Sequence, residues 1–423
     1  MPLSQRVQVP SVSGLPEALR QAAVTAAQTL RLHGHRAWLV GGCVRDLALG
    51  RTPGDADLCS DATPSVVQAA FTHTVPVGIE FGTVLVVLEA GAVEHTTYRT
   101  EGTYSDGRRP DRVSFGRDLA EDARRRDFTV NALYLDPLTD EVCDPEGGLA
   151  DLRAGLLRAI GDPVQRFQED ALRLLRLVRF GAVLGFSVEA QTEAAARRCA
   201  PLLAGMARER VHKELTAVAA RGDGERFLTL LERCGLVETT LGLALPQVAE
   251  RARLMRAWPH QLGLGGWLAA LAAPLAEESP ALVLERAERL AQGLKCSGEE
   301  QAVLLDALQL VCELQQHLEP AATPPSRAVR VRWARRVGQR CAWELVCRLQ
   351  PESHVLRTWR AEAESWTEAE VHPAPYVRAA DLLQLGVARG PRLGELLRAL
   401  ETAQLDGVVG DREAALRFVQ DQL

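Results

Sequence analysis

Apolar residues recur at helical spacing across residues 15–33, with Ser13-Gly14 before them and Gly34 after, so an amphipathic helix is expected there. Ala37–Val40 is a short apolar run ending in Gly41-Gly42, which predicts strand, turn and a helix from about Val44. Gly50–Gly54 reads as a loop and Asp57–Ser60 as a second strand. Val84–Leu88 is β-branched and apolar, Gly91 makes a turn, and Val93–Tyr98 alternates as a return strand. A small sheet with helices is therefore built by residue 150. From Asp151 onward Leu, Ala and Arg dominate at helical periodicity, and no further strand is expected. Gln316–Ser326 holds three prolines and reads as a linker, and Val371–Tyr376 is a second break. The pattern as a whole is α+β: a mixed sheet first, helices after.

Composition changes this picture little. The 423 residues are 47% hydrophobic and 25% charged, an ordinary globular balance. The net charge of −6 argues against a general nucleic-acid coat but leaves room for a local basic groove. Residues 326–360 carry nine arginines (327, 330, 332, 335, 336, 340, 348, 357, 360) against Glu344 and Glu352. Lysine occurs only at 213 and 295, so arginine supplies nearly all the positive charge, through a guanidinium fork suited to phosphate. The nine cysteines form no CxxC, so neither a zinc site nor a disulfide framework is indicated, and a reducing cytoplasm fits. No signal segment is visible, and no apolar run approaches the roughly 20 residues of a membrane span.

The first chemistry lies in Leu39-Val40-Gly41-Gly42-Cys43-Val44-Arg45-Asp46, followed by Gly54-Asp55-Ala56-Asp57. Residues two apart on a strand face the same side, so Asp55 and Asp57 can bring two carboxylates to one point. Magnesium takes hard oxygen ligands, usually one or two carboxylates plus substrate phosphates. Gly41 and Gly42 let a backbone turn approach a triphosphate, and the helix that follows offers its N-terminal amides to the same anion. Arg45 would sit in that helix's first turn, where a cation needs a compensating anion. A lone DxD is more often a surface loop and a lone Gly-Gly more often a turn. Their conjunction, with an arginine between, points to a metal–nucleotide site.

GGCVRDLALG and GDADL resemble the first motif of the class II tRNA nucleotidyltransferases, the bacterial CCA-adding enzymes and their poly(A) polymerase relatives. The resemblance implies a polymerase-β-like catalytic head at 12–150. A helical neck at 151–218, a helical body at 219–318 and a tRNA-binding helical tail at 327–423 follow. It implies Mg2+ on Asp55 and Asp57, with CTP and ATP as substrates and tRNA as partner. Glu94, in Val93–Arg99, stands where the family has a third catalytic carboxylate. Arg124-Arg125-Arg126-Asp127-Phe128-Thr129-Val130-Asn131-Ala132 resembles the second motif, which assigns Arg126 and Asp127, with Gly42 and Arg45, to the incoming triphosphate and ribose. A carboxylate that accepts from a 2′-hydroxyl favours ribonucleotides. Asp144–Gly148 resembles a third motif, a hinge between sheet and helices.

Residues 166–180 (RFQEDALRLLRLVRF) are expected as one helix. Ala171, Leu174, Leu175 and Val178 then form an apolar arc, and Asp170, Arg173, Arg176 and Arg179 follow at i+3 on the opposite half. A carboxylate beside a guanidinium has meaning in base chemistry. Cytosine and adenine each show an amino donor beside a ring acceptor. Guanine and uracil show a carbonyl beside an N–H and would mismatch twice, at about 1–3 kcal/mol per unpaired buried group. Asp170 and Arg173 would thus read C or A without a template. The segment resembles the family's EDxxR motif, and Arg176 and Arg179 match arginines that hold the nucleotide. Glu209–Glu214 resembles the last motif, a helix-stabilising one.

Thr100–Phe115 resembles an intact flexible loop, which favours CCA- or A-addition, and Val77–Val84 resembles the tRNA enzymes rather than the poly(A) polymerases. Arg389–Leu397 with Leu405-Asp406-Gly407 resembles the end of the family's tail. A poly(A) polymerase-like RNA tailing enzyme and a catalytically inactive RNA-binding relative are the alternatives. Retention of Asp55, Asp57 and Glu94 argues against the second.

Overall fold

The computed structural model describes residues 7–101, 113–275, 278–318 and 323–423, so residues 102–112 of the expected loop lie outside the described part. The chain packs as two compact units that divide between Val248 and Ala249.

In the first unit, α1 (Glu17–Leu32) precedes β1 (Trp38–Val40) and α2 (Gly42–Ala48). Next come β2 (Asp57–Ser60), α3 (Pro64–Ala70), β3 (Thr74–Gly78), β4 (Thr83–Leu88) and β5 (Gly91–Thr97). A separate antiparallel ladder pairs β6 (Arg99–Glu101) with β7 (Val113–Phe115). Then α4 (Leu119–Arg124), β8 (Tyr134–Leu135), β9 (Val142–Cys143) and α5 (Gly148–Ala154) complete the sheet region. Seven strands form one mixed sheet in the order β3-β4-β5-β2-β1-β8-β9. Only β2 and β5 pair in parallel, with Asp57 opposite Glu94. Central β1 is buried at all three positions, which is why it reads as a continuous apolar run. Helix α1 packs on β5 through Ala22, Ala23, Ala26, Ala27 and Leu30, a narrow stripe of mostly small side chains at helical spacing.

The edge strand β3 escaped the sequence pattern because Pro76 interrupts it. At an edge, the missing proline N–H leaves no ladder bond broken. Strands β8 and β9 have two residues each, too few to show a period. Helix α2 starts at Gly42, earlier than the expected Val44, because Gly41 takes a left-handed turn (φ 77°) that opens the helix immediately.

Past Asp151 the chain is not free of strands as expected. β10 (Leu156–Leu157) pairs in parallel with β11 (Ser187–Val188), bracketing α6 (Pro163–Glu169) and α7 (Leu172–Leu184). Helices α8 (Ala190–Cys199) and α9 (Arg208–Arg221) follow. The single helix expected over 166–180 is in fact two. Asp170 is extended (φ −144°, ψ 105°), and its Oδ1 accepts the Leu172 amide at 3.0 Å. A short acidic side chain that can satisfy a free helix-start amide stops one helix and begins the next. The expected apolar arc of Ala171, Leu174, Leu175 and Val178 is fully buried.

The second unit is helical throughout its described residues. Its core holds Trp267 on the almost wholly buried helix Gly263–Ala272. The 19-residue helix Gly298–Gln316 starts with a reciprocal Ser297–Glu300 capping box. A smaller core gathers Val377, Leu382, Leu396, Leu400 and Val419. The arginine-rich stretch 326–360 is not the open basic surface that its sequence suggests. Arg327, Arg330, Arg335, Arg336, Arg348 and Arg360 are all paired with carboxylates, among them Glu362, Glu401, Asp306, Glu313 and Glu344. Only Arg332, Arg340 and Arg357 lack an acidic partner among the described residues. Among the described residues, no helix is long and apolar enough to cross a membrane.

Candidate active site

One cleft of about 620 Å³ in the first unit collects ten of the eleven residues singled out from the sequence: Gly42, Arg45, Asp55, Asp57, Arg126, Asp127, Asp170, Arg173, Arg176 and Arg179. Glu94 is not part of its wall, but it stands in register with Asp57 on the neighbouring strand, and its charge is felt there.

Asp57 opens β2, whereas Asp55 belongs to the segment that leads into the strand, so only one of the two is a strand residue. Ala56 between them is buried and both aspartates are exposed, which is the alternation expected of a single face. Although one side of Asp57 is open to solvent, the protein atoms crowded around its carboxyl, with the negative charges of Asp55 and Glu94, push it up to about 6, and nearby Arg126 opposes this. Mutual repulsion of hard oxygen donors is the condition that a divalent cation relieves, so this donor set fits one.

At the Gly-Gly turn, Gly41 takes a positive φ that glycine adopts freely, and its missing Cβ leaves the backbone bare beside Arg126. Arg45 finds its compensating anion on its own helix. It donates to Asp46 Oδ1 at 2.9 Å and to Asn131 Oδ1 at 2.8 Å. Arg126 is anchored from behind by Asp122, to which it donates at 3.0 Å, and by the Tyr134 hydroxyl. Asp122 is fully buried, yet Arg126 and Arg125 outweigh that burial and hold its carboxyl below the ordinary range.

Asp127 accepts from its neighbour Phe128 N, from Asn131 Nδ2 at 3.0 Å and from Arg176 Nε at 2.8 Å. Burial alone would raise it. The Arg176 guanidinium and the Asn131 amide prevail and hold it at about 2. An ionised carboxylate there is an acceptor only.

Arg173 Nη1 donates to Glu169 Oε2 at 2.6 Å and to the Arg166 carbonyl at 2.9 Å, and its Nη2 donates to the Arg125 carbonyl at 3.0 Å. Among the described residues, no acceptor engages its Nε–H or its second Nη2–H. Asp170 and Arg173 do not pair with each other, as simple i,i+3 spacing suggested. Asp170 Oδ2 accepts from Arg210 at 2.8 Å instead. Arg179 pairs with Glu214, and its guanidinium stacks on the Phe180 ring at 4.1 Å. Arg45 and Arg176 lie over the same ring at 5.2 and 5.3 Å.

Sequence reading missed Arg221, Phe180 and Asp122 as site residues, and it took Arg210, within Glu209–Glu214, as helix-stabilising only. Arg210 lies 40 residues from its partner, beyond any local pattern. Asp122 was within reach, since it precedes Arg125 and Arg126 by three and four residues, the helical pairing distances. Asp144, read as a hinge, accepts from the Gly148 and Leu149 amides at 2.7 and 3.0 Å and so caps the start of α5. The wall carries eight arginines and five aspartates, and Asp122, Glu169 and Glu214 pair with four of those arginines from behind it, so the charges are arranged in pairs around the cleft.

Residues 37–158 match the poly A polymerase head domain, and residues 185–250 match a probable RNA- and SrmB-binding site of polymerase A. A CCA-adding enzyme of Geobacillus stearothermophilus is 42% identical over 250 residues, which cover 59% of this chain and 60% of the relative. The chain thus spans about 60% of the length of that relative in the match. A CCA-adding enzyme of Levilactobacillus brevis is 33% identical over 407 residues, 95% of this chain and 97% of the relative. Among solved structures, the Bacillus stearothermophilus CCA-adding enzyme in complex with CTP superposes with a TM-score of 0.74 at 28% identity, covering 96% of this chain and 98% of the other. A Thermotoga maritima CCA-adding enzyme complexed with tRNA, at 17% identity and a TM-score of 0.69, shares the fold.

Proposed function

The chain belongs to the CCA-adding enzyme family of nucleotidyltransferases, and from that premise we propose that it adds C and A to the 3′ end of tRNA from CTP and ATP, without a template. The observation that supports this most is the meeting, on one cleft, of the aspartates of the Gly-Gly/DxD segment with Asp170 and Arg173.

Membership implies a divalent cation. Magnesium suits a site of carboxylates completed by substrate phosphates, and Asp55 and Asp57 would hold it, with Glu94 as the third carboxylate. A cation bound there supplies positive charge that eases loss of the hydroxyl proton and departure of pyrophosphate. The tRNA 3′-oxygen attacks the α-phosphorus. A new O–P bond forms as the bond to the β-phosphate's bridging oxygen breaks, pyrophosphate leaves, and the hydroxyl proton passes to solvent.

The chain's own residues prepare this step. Gly42 brings the start of α2 close to the phosphates, and Arg45 and Arg126 balance their charge. Asp127, kept ionised by Arg176, accepts from the ribose. Asp170 accepts from the base amino group while the two unused N–H groups of Arg173 donate to the ring acceptor. The neck at 151–218 supplies the reading side chains and the head at 12–150 supplies the chemistry. The body at 219–318 and the tail at 327–423 would engage the tRNA. Nine free cysteines suit a reducing cytoplasm.

Three tRNA substrates test the reading, ending at the discriminator base, at C and at CC, each offered CTP or ATP alone. The expected products are C addition to the first two and A addition only to the third. Addition of A to all three would instead indicate RNA tailing.

A further inference from the structure

We propose that Arg210 on α9 is a positioning residue for nucleotide choice. It fixes the direction in which Asp170 offers its acceptor edge, a role distinct from tying helices together. The inference rests on Asp170 as the base-reading carboxylate.

The break between α6 and α7 puts Asp170 in an extended linker with no helix of its own to orient it. Two bonds do so instead. Oδ1 accepts the Leu172 amide at 3.0 Å and Oδ2 accepts Arg210 Nη2 at 2.8 Å. The first comes from the adjoining chain and turns with it. The second comes from another helix and fixes the plane of the carboxylate. Each oxygen retains a lone pair for an amino group. Arg173 is held separately, by Glu169 and by the carbonyls of Arg166 and Arg125. Donor and acceptor are thus aimed by independent supports.

Without Arg210, no side chain outside its own segment holds the Asp170 carboxylate among the described residues. The carboxylate can then turn toward Arg173, three residues away, and close the acceptor that cytosine and adenine need while leaving the phosphate contacts untouched. Arg210 reaches Asp170 through Nη2 alone, while its Nη1 donates to Met206 Sδ at 3.1 Å, which fixes the direction of approach. The second tie between the same helices, Arg179 to Glu214, touches neither reading group and provides the control.

The test measures kcat/KM for CTP and UTP on tRNA ending at the discriminator base. Arg210→Gln is expected to lower the CTP-over-UTP ratio at least tenfold, and Arg210→Lys to restore part of it. Glu214→Gln is expected to slow both nucleotides together and leave the ratio in place. Equal loss for both nucleotides in Arg210→Gln would overturn the proposal by making Arg210 merely structural. Asp170→Ala separates the two layers. If it too leaves the ratio unchanged, the base-reading assignment itself has failed. If it shifts the ratio while Arg210→Gln does not, only the positioning role has failed.

Discussion

At the scale of single residues, the site is held together by charges that oppose stability. Asp57 is pushed up to about 6 by partial desolvation of its carboxyl and by the charges of Asp55 and Glu94. An acid whose folded pKa is raised destabilises the fold wherever it is ionised in the native state. That penalty is fully present above pH 6 and gone below about 3.8. Metal-free Asp57→Asn should therefore be more stable than the parent at pH 8, by no more than roughly 1 kcal/mol because solvent reaches the carboxylate. The gain should vanish by pH 4, and added magnesium should stabilise only the parent. Thermal unfolding at the two pH values checks this; a gain that persists at pH 4 would mean another cause. The carboxylates were legible in the sequence because a two-residue spacing beside a Gly-Gly turn has few other uses. Arg210 was not, because only the fold brings α9 to Asp170.

At the scale of elements, alternation along β5 sorts two adjacent residues into different jobs. Glu94 faces the Asp57 side, and His95 turns into the core, fully buried, with Nε2 2.7 Å from Ser60 Oγ. Burial, reinforced by His35, pushes His95 down to about 4, although Asp61 opposes this. The unfolded chain binds this proton below about 6.5 and the folded one only below about 4. Stability is then lost as pH falls from 6.5 to 4, by up to about 3 kcal/mol for a shift of this size. His95→Asn should flatten that part of the profile, measured by hydrogen exchange of the β2 and β5 amides in denaturant. Parallel profiles for parent and variant would count against it. The sequence showed most of these elements: α1, β1, β2, β4 and β5 follow from period and turn residues alone. It misplaced the helix break at Asp170 because an unbroken apolar arc continues past it, and capping chemistry at an acidic residue overrides that periodicity.

At the scale of the whole molecule, charge in the sequence misleads about charge in space. The arginines of 326–360 looked like a phosphate-binding surface, yet six of the nine are neutralised by carboxylates drawn from as far as Asp306 and Glu401. In the cleft of the first unit eight arginines and five aspartates line one wall, and there too seven of the eight arginines are paired with carboxylates. The proposed function places chemistry in that cleft and tRNA binding largely on the helical body and tail, so the two should be separable by one substitution. If Asp55 holds the cation as proposed, its removal takes away several kcal/mol of transition-state stabilisation, about a thousandfold or more in rate. The decisive measurement follows Asp55→Ala in parallel for single-turnover transfer from CTP and for tRNA affinity at fixed salt. The account predicts that transfer is abolished while affinity stays within about threefold of the parent, under 1 kcal/mol. Transfer at close to the parent rate would contradict it.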